Sequence, residues 1–106
     1  MQPNMKHDGG ISFVLHDEDA CGLLTDMILF GDGDMEDHLV QNYQFFFGWS
    51  EPTHVTIVNK VWKYEGDKPL HPVGEFYQGN KTIFIYPYGI VAVLEDGKLM
   101  RWTRCD

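Results

Sequence analysis

The stretch from Ile90 to Arg104 constrains this chain most, because its residue types spell out a β-hairpin around a defined centre. Asp96 and Gly97 suit the positive φ values of a two-residue I′ turn, so the strands pair outward from Glu95 opposite Lys98. That register sets Leu94 against Leu99, Val93 against Met100 and Val91 against Trp102. A second hairpin is read the same way. Val73 to Gln78 and Lys81 to Tyr86 flank Gly79 and Asn80, which places Phe76 opposite Ile83, Tyr77 opposite Thr82 and Glu75 opposite Phe84.

Upstream, His54 to Tyr64 is rich in Val, Ile and Trp and reads as one long strand, interrupted after Tyr64 by Glu65, Gly66, Asp67, Lys68 and Pro69. Before it the period changes. Ala20, Leu23, Leu24, Met27 and Ile28 share one helical stripe behind a cap at Asp17, predicting a helix from about Asp17 to Phe30. Met35, Leu39, Tyr43, Phe46 and Phe47 repeat the pattern behind Asp34, and Gly48 and Pro52 end it. Ile11 to Leu15 reads either as an edge strand or as the lead-in to the first helix. The expected fold class is therefore α+β: two N-terminal helices packed on an antiparallel five-stranded meander. Residues 11–106 form a single domain behind a flexible polar tail, residues 1–10.

Sixteen Asp and Glu against eight Lys and Arg leave a net charge of −8, which repels a phosphate backbone and disfavours nucleic acid. The same charge suits a basic partner, or solubility alone. No apolar run reaches the ~20 residues of a membrane span, and no apolar stretch near the N-terminus resembles a signal peptide, so a cytoplasmic location is expected. Cys21 and Cys105 are far apart in sequence and are expected to be free thiols.

Three segments resemble the NTF2-like (SnoaL-like) superfamily. Ile90 to Asp106, IVAVLEDGKLMRWTRCD, is similar to the closing hairpin of such domains. Phe30 to Tyr43, FGDGDMEDHLVQNY, resembles their Gly-Asp link and second helix, and Tyr64 to Lys68 their Glu-Gly-Asp connection. The resemblance implies a curved, cone-like sheet around the helices, an apolar pocket at one end, and a dimer through the outer sheet face. Thr103 and Arg104 follow Trp102 where the epoxide-hydrolase branch carries an Arg-Asp pair, so that chemistry is not expected.

Chemistry-bearing motifs are few. There is no Ser-centred elbow, phosphate-cradling loop or HExxH, and no cofactor or metal site is expected. His16, Asp17, Glu18 and Asp19 fit helix capping better than metal ligation. Asp32, Asp34 and Glu36 imitate a calcium loop, but Asp37 and Tyr43 stand where it needs Gly and Glu. His54 and His71 lie at a strand start and in a loop, where either can act as a base. Inside a cone the expected lining is Tyr43, Tyr64, Tyr77, Tyr86 and Glu75, walled by Trp62 and Trp102, with Glu75 and His54 as candidate catalytic groups. A carboxylate among aromatics should have a raised pKa. If Trp62, Tyr64, Phe84, Tyr86 and Trp102 share the outer sheet face, a twin subunit should cover them. Three functions are open: binding of a small apolar molecule or protein partner as a homodimer; a lyase, isomerase or hydrolase using the carboxylate or a His; and an acidic inhibitor or immunity-type interaction protein.

Overall fold

A computed structural model describes residues 5–6, 11–16, 36–37 and 48–104. These are mostly strand. The chain builds a six-stranded antiparallel sheet in the order β1-β2-β5-β6-β7-β8, and β3 and β4 form a separate two-stranded unit. The strands are β1 Met5–Lys6, β2 Ile11–Leu15, β3 Val55–Val58, β4 Val61–Tyr64, β5 Gly74–Gln78, β6 Lys81–Tyr86, β7 Ile90–Glu95 and β8 Lys98–Thr103. β1 lies within the stretch read as a tail and pairs with β2.

The α+β cone of two helices on a five-stranded meander is therefore corrected to a mostly β arrangement. No full helix is seen among the described residues: of the spans 17–30 and 34–47 only Glu36 and Asp37 are described, as two helical residues, and the rest lies outside, as do Cys21 and Cys105. The long strand from His54 to Tyr64 is also corrected. It breaks at Asn59 and Lys60, with φ of 51° and 69°, into a hairpin that pairs Val58 with Val61 and Ile57 with Trp62. Asn tolerates the left-handed region, so Asn59 acts as a turn residue, with Lys60, between Val58 and Val61. Ile11–Leu15, in turn, pairs along its whole length with β5, from Ile11 opposite Gln78 to Leu15 opposite Gly74.

Both hairpins read from their turns form. Gly79 sits at φ 61°, and β5 pairs with β6 with Phe76 opposite Ile83 and Tyr77 opposite Thr82. Asp96 and Gly97, at φ 52° and 81°, join β7 to β8 with Glu95 opposite Lys98 and Leu94 opposite Leu99. Beyond Leu94 the register shifts. Val93 faces Arg101, Ala92 faces Trp102 and Val91 faces Thr103, where unbroken pairing from the turn would set Val93 against Met100 and Val91 against Trp102. Met100 is the extra residue of a β-bulge, and the parity of β8 flips there.

That flip decides where the core sits. Trp102 joins Phe84, Tyr86, Ile90, Ala92 and Leu94 on one sheet face, and the β3–β4 hairpin lays Val55 and Trp62 over it. Trp62 is 0% exposed and meets Trp102 edge-on at 5.2 Å and Tyr86 at 5.6 Å between ring centroids. Two isolated bridges fix the hairpin's surroundings, Ser50 to Trp102 and Trp62 to Leu70. The aromatic face that argued for a twin subunit is thus covered within the chain. The opposite face buries Phe13, Phe76, Ile83, Ile85, Val91 and Val93.

Candidate functional site

Glu75 is the most unusual residue of the fold: a carboxylate that is 0% exposed, on the aromatic face of β5. Pairing places it between Val14 on β2 and Phe84 on β6. A buried carboxylate survives only when its oxygens are satisfied, and three groups do this here. His16, immediately after β2, brings Nε2 to one oxygen. The Tyr77 hydroxyl, two residues along the same strand, donates to the other. Lys60 Nζ reaches that second oxygen at 3.0 Å from the β3–β4 turn. The Tyr86 hydroxyl donates to the Lys60 carbonyl at 2.8 Å, so the left-handed turn is tied to the sheet through both its backbone and its side chain.

The electrostatics follow from this packing. Burial works to raise the Glu75 pKa, but hydrogen bonds from Tyr77, His16 and Lys60, with the Lys60 charge, outweigh it and hold the carboxyl below its ordinary value. The sequence suggested the reverse, a raised value, because it showed the aromatic neighbours and not the donors. Burial together with the hydrogen bond and charge of Glu75 pushes the Tyr77 phenol well above its usual range. Burial, then the charges of Glu75 and Tyr77, does the same to Tyr86. At neutral pH the cluster is an ionised carboxylate beside neutral phenols, with Lys60 Nζ and His16 Nε2 on its oxygens.

The other residues singled out from sequence have separate fates. His54, at φ 66°, brings Nδ1 within 3.1 Å of Glu65, with both side chains exposed, while the hydrogen-bond partners of Glu75 are His16, Tyr77 and Lys60. Trp62, Tyr64, Tyr86 and Trp102 pack on one another: Tyr64 meets Trp102 at 5.6 Å and carries the Arg104 guanidinium over its ring. Tyr77 meets Phe84 edge-on. Tyr43 lies outside the described residues. His16 and Lys60 were missed as partners of Glu75. The parity of β2 carries a signal for His16, since Val14 and His16 fall on one face, but it is readable only once β2 is known to pair with β5.

Open space is found elsewhere. A groove of about 390 Å³ lies beside β8, lined among others by Trp49, Ser50, Glu51, Glu95, Met100 and Arg101. At one wall the buried Glu36 binds Arg101 and, at 3.3 Å, Lys81. Arg101 also stacks over Trp49 at 5.4 Å from its ring centroid. Among the described residues no group of three His, Cys, Asp or Glu is placed to hold a metal ion, and no helix is long and apolar enough to cross a membrane.

Set against protein-family models, curated proteins and solved structures, the chain matches none of them.

Proposed function

We propose that the chain is a small acidic interaction domain that binds a basic protein partner through its surface. One observation carries this reading: Trp62, Tyr86 and Trp102, expected to line a cavity, fill the core instead, with Trp62 packed against both of the others. The charge balance supports it. Lys60, Lys81, Arg101 and Arg104 are each engaged with a carboxylate, while Glu51, Glu65 and Asp96 are exposed among the described residues of a chain with a net charge of −8. Unbalanced surface charge of one sign steers an oppositely charged partner and speeds its association.

The test is calorimetric titration of the full chain with a lysine- and arginine-rich peptide and with an acidic peptide of equal length, beside a thermal-shift series with fatty acids of increasing chain length. The basic peptide should bind, and its affinity should fall as salt screens the charges. Stabilisation by a fatty acid, with no heat from the basic peptide, would replace this reading by one of apolar-ligand binding.

A second reading, acid–base chemistry, is favoured by the half-exposed His16 imidazole on a fully buried carboxylate, an arrangement in which a carboxylate orients a histidine base. The lowered pKa of Glu75 and its three donors favour a holding role for the carboxylate itself.

A further inference from the structure

We propose that the outer edge of β8 receives an extended, lysine- or arginine-bearing segment of a partner protein as an added strand. The segment's apolar side chains would rest on Met100, and its cations would face Glu51 and Glu95. This rests on the reading of the chain as an acidic interaction domain and assigns the place where the partner sits.

β8 ends the strand order of the sheet, so from Lys98 to Arg101 its outer side has no strand partner among the described residues. Strand addition has already begun at one point of that edge. Ser50 N–H donates to the Trp102 carbonyl at 2.7 Å, and Trp102 N–H donates to the Ser50 carbonyl at 3.0 Å. Antiparallel pairing would next set residue 52 against Met100, but residue 52 is proline, which has no N–H to give. The chain turns away there, with Thr53 N–H folding back on the Glu51 carbonyl at 2.8 Å. The ladder that Ser50 starts is left for another chain to continue, a recognised mode of peptide capture.

The chemistry beside the edge selects the occupant. Met100, 48% exposed at the bulge, offers an apolar contact on the groove. Glu51 and Glu95 line the same groove without an ion pair among the described residues, whereas Arg101 is already held by Glu36 and Trp49. Two places for a cation therefore flank an apolar one. A second copy of this chain fits poorly, since two molecules each at −8 repel.

The experiment titrates the full, isotope-labelled chain with a 12-residue synthetic peptide alternating Lys or Arg with Val, following amide shifts and affinity. The native chain should bind, with the largest shifts at Leu99, Met100 and Arg101. Glu51→Lys with Glu95→Lys should weaken binding about tenfold or more, and Met100→Lys alone should weaken it as well. Val58→Lys with Glu65→Lys, a charge change of +3 against +4 on exposed residues in and just after the β3–β4 hairpin, should leave the affinity close to native. Equal loss in both double variants would mean that net charge alone attracts the peptide, overturning the β8 site while leaving the interaction reading intact. No binding to the native chain would remove both. Shifts at Leu99 and Met100 that grow with protein concentration before peptide is added would give the edge to a second copy and overturn the proposal.

Discussion

Glu75 joins three parts of the chain at one side chain: β2 through His16, its own strand through Tyr77, and the β3–β4 turn through Lys60. Replacing Glu75 with Gln removes the charge those donors surround, and urea denaturation at pH 7 should show a loss of about 1–3 kcal/mol. The pH dependence has a definite sign. The folded-state pKa lies below the ordinary 4.5, so its contribution is present above that value and is lost as pH falls through the lower folded value. The Gln variant should lack that part of the acid limb. Tyr77 and Tyr86 act oppositely: their pKa values are raised in the fold, so their contribution is whole below 10.0 and is lost as pH rises beyond it. Thr103 offers a contrasting case. It is 1% exposed, and its hydroxyl has no hydrogen-bond partner among the described residues. Thr103→Val should raise stability by about 1 kcal/mol in a thermal melt, since a methyl replaces an unsatisfied hydroxyl of similar shape. A lower melting temperature would mean that the hydroxyl is bonded after all.

At the scale of elements, the bulge at Met100 takes up the one extra residue of β8. Deleting Met100 would close the bulge and leave Arg101 opposite Val93 and Trp102 opposite Ala92, so Trp102 would keep the aromatic face. The loss in urea denaturation should therefore be about 1 kcal/mol or less. Met100→Ser keeps the residue count and alters an exposed side chain, so it should stay within about 0.5 kcal/mol of native. A loss of about 3 kcal/mol or more on deletion would show that the pairing of Arg101 with Val93 and Trp102 with Ala92 needs the bulge. The turns themselves were legible: Asp-Gly and Gly-Asn demand particular φ values that few other residues adopt, and both hairpins centre on them. The bulge was not legible, because Met100 is an ordinary strand residue and nothing local marks it as extra. Asn59–Lys60 was missed for a related reason, since Lys at φ 69° is held there by its contacts with Glu75 and Tyr86 rather than by its own preference.

For the molecule as a whole, β6 and β7 lie in the interior of the sheet order with buried residues on both faces, while β8 has a strand partner on one edge only among the described residues, its outer edge met at Trp102 by the Ser50 bridge. Hydrogen exchange on the free protein should therefore be slowest at Ile83 to Ile85 and Val91 to Val93, and faster by about 100-fold or more at Leu99. Protection of Leu99 equal to that of Val93 would mean that the outer edge is already occupied. The candidate site was half visible in the sequence. Glu75 stood out as a carboxylate among aromatics opposite Phe84, yet its partners arrive from residues 16 and 60, which no local spacing connects to it.

The sequence by itself determined the two hairpin centres, the acidic balance and the aromatic content of the last strands, because each depends on residue types or on contacts between near neighbours. Only the tertiary structure decided that β2 joins β5, that the segment after His54 folds into a covering hairpin, and that Trp102 turns to the Ala92 face. Those choices rest on pairings between distant segments and on a single extra residue in β8, where parity is set by how the whole face packs.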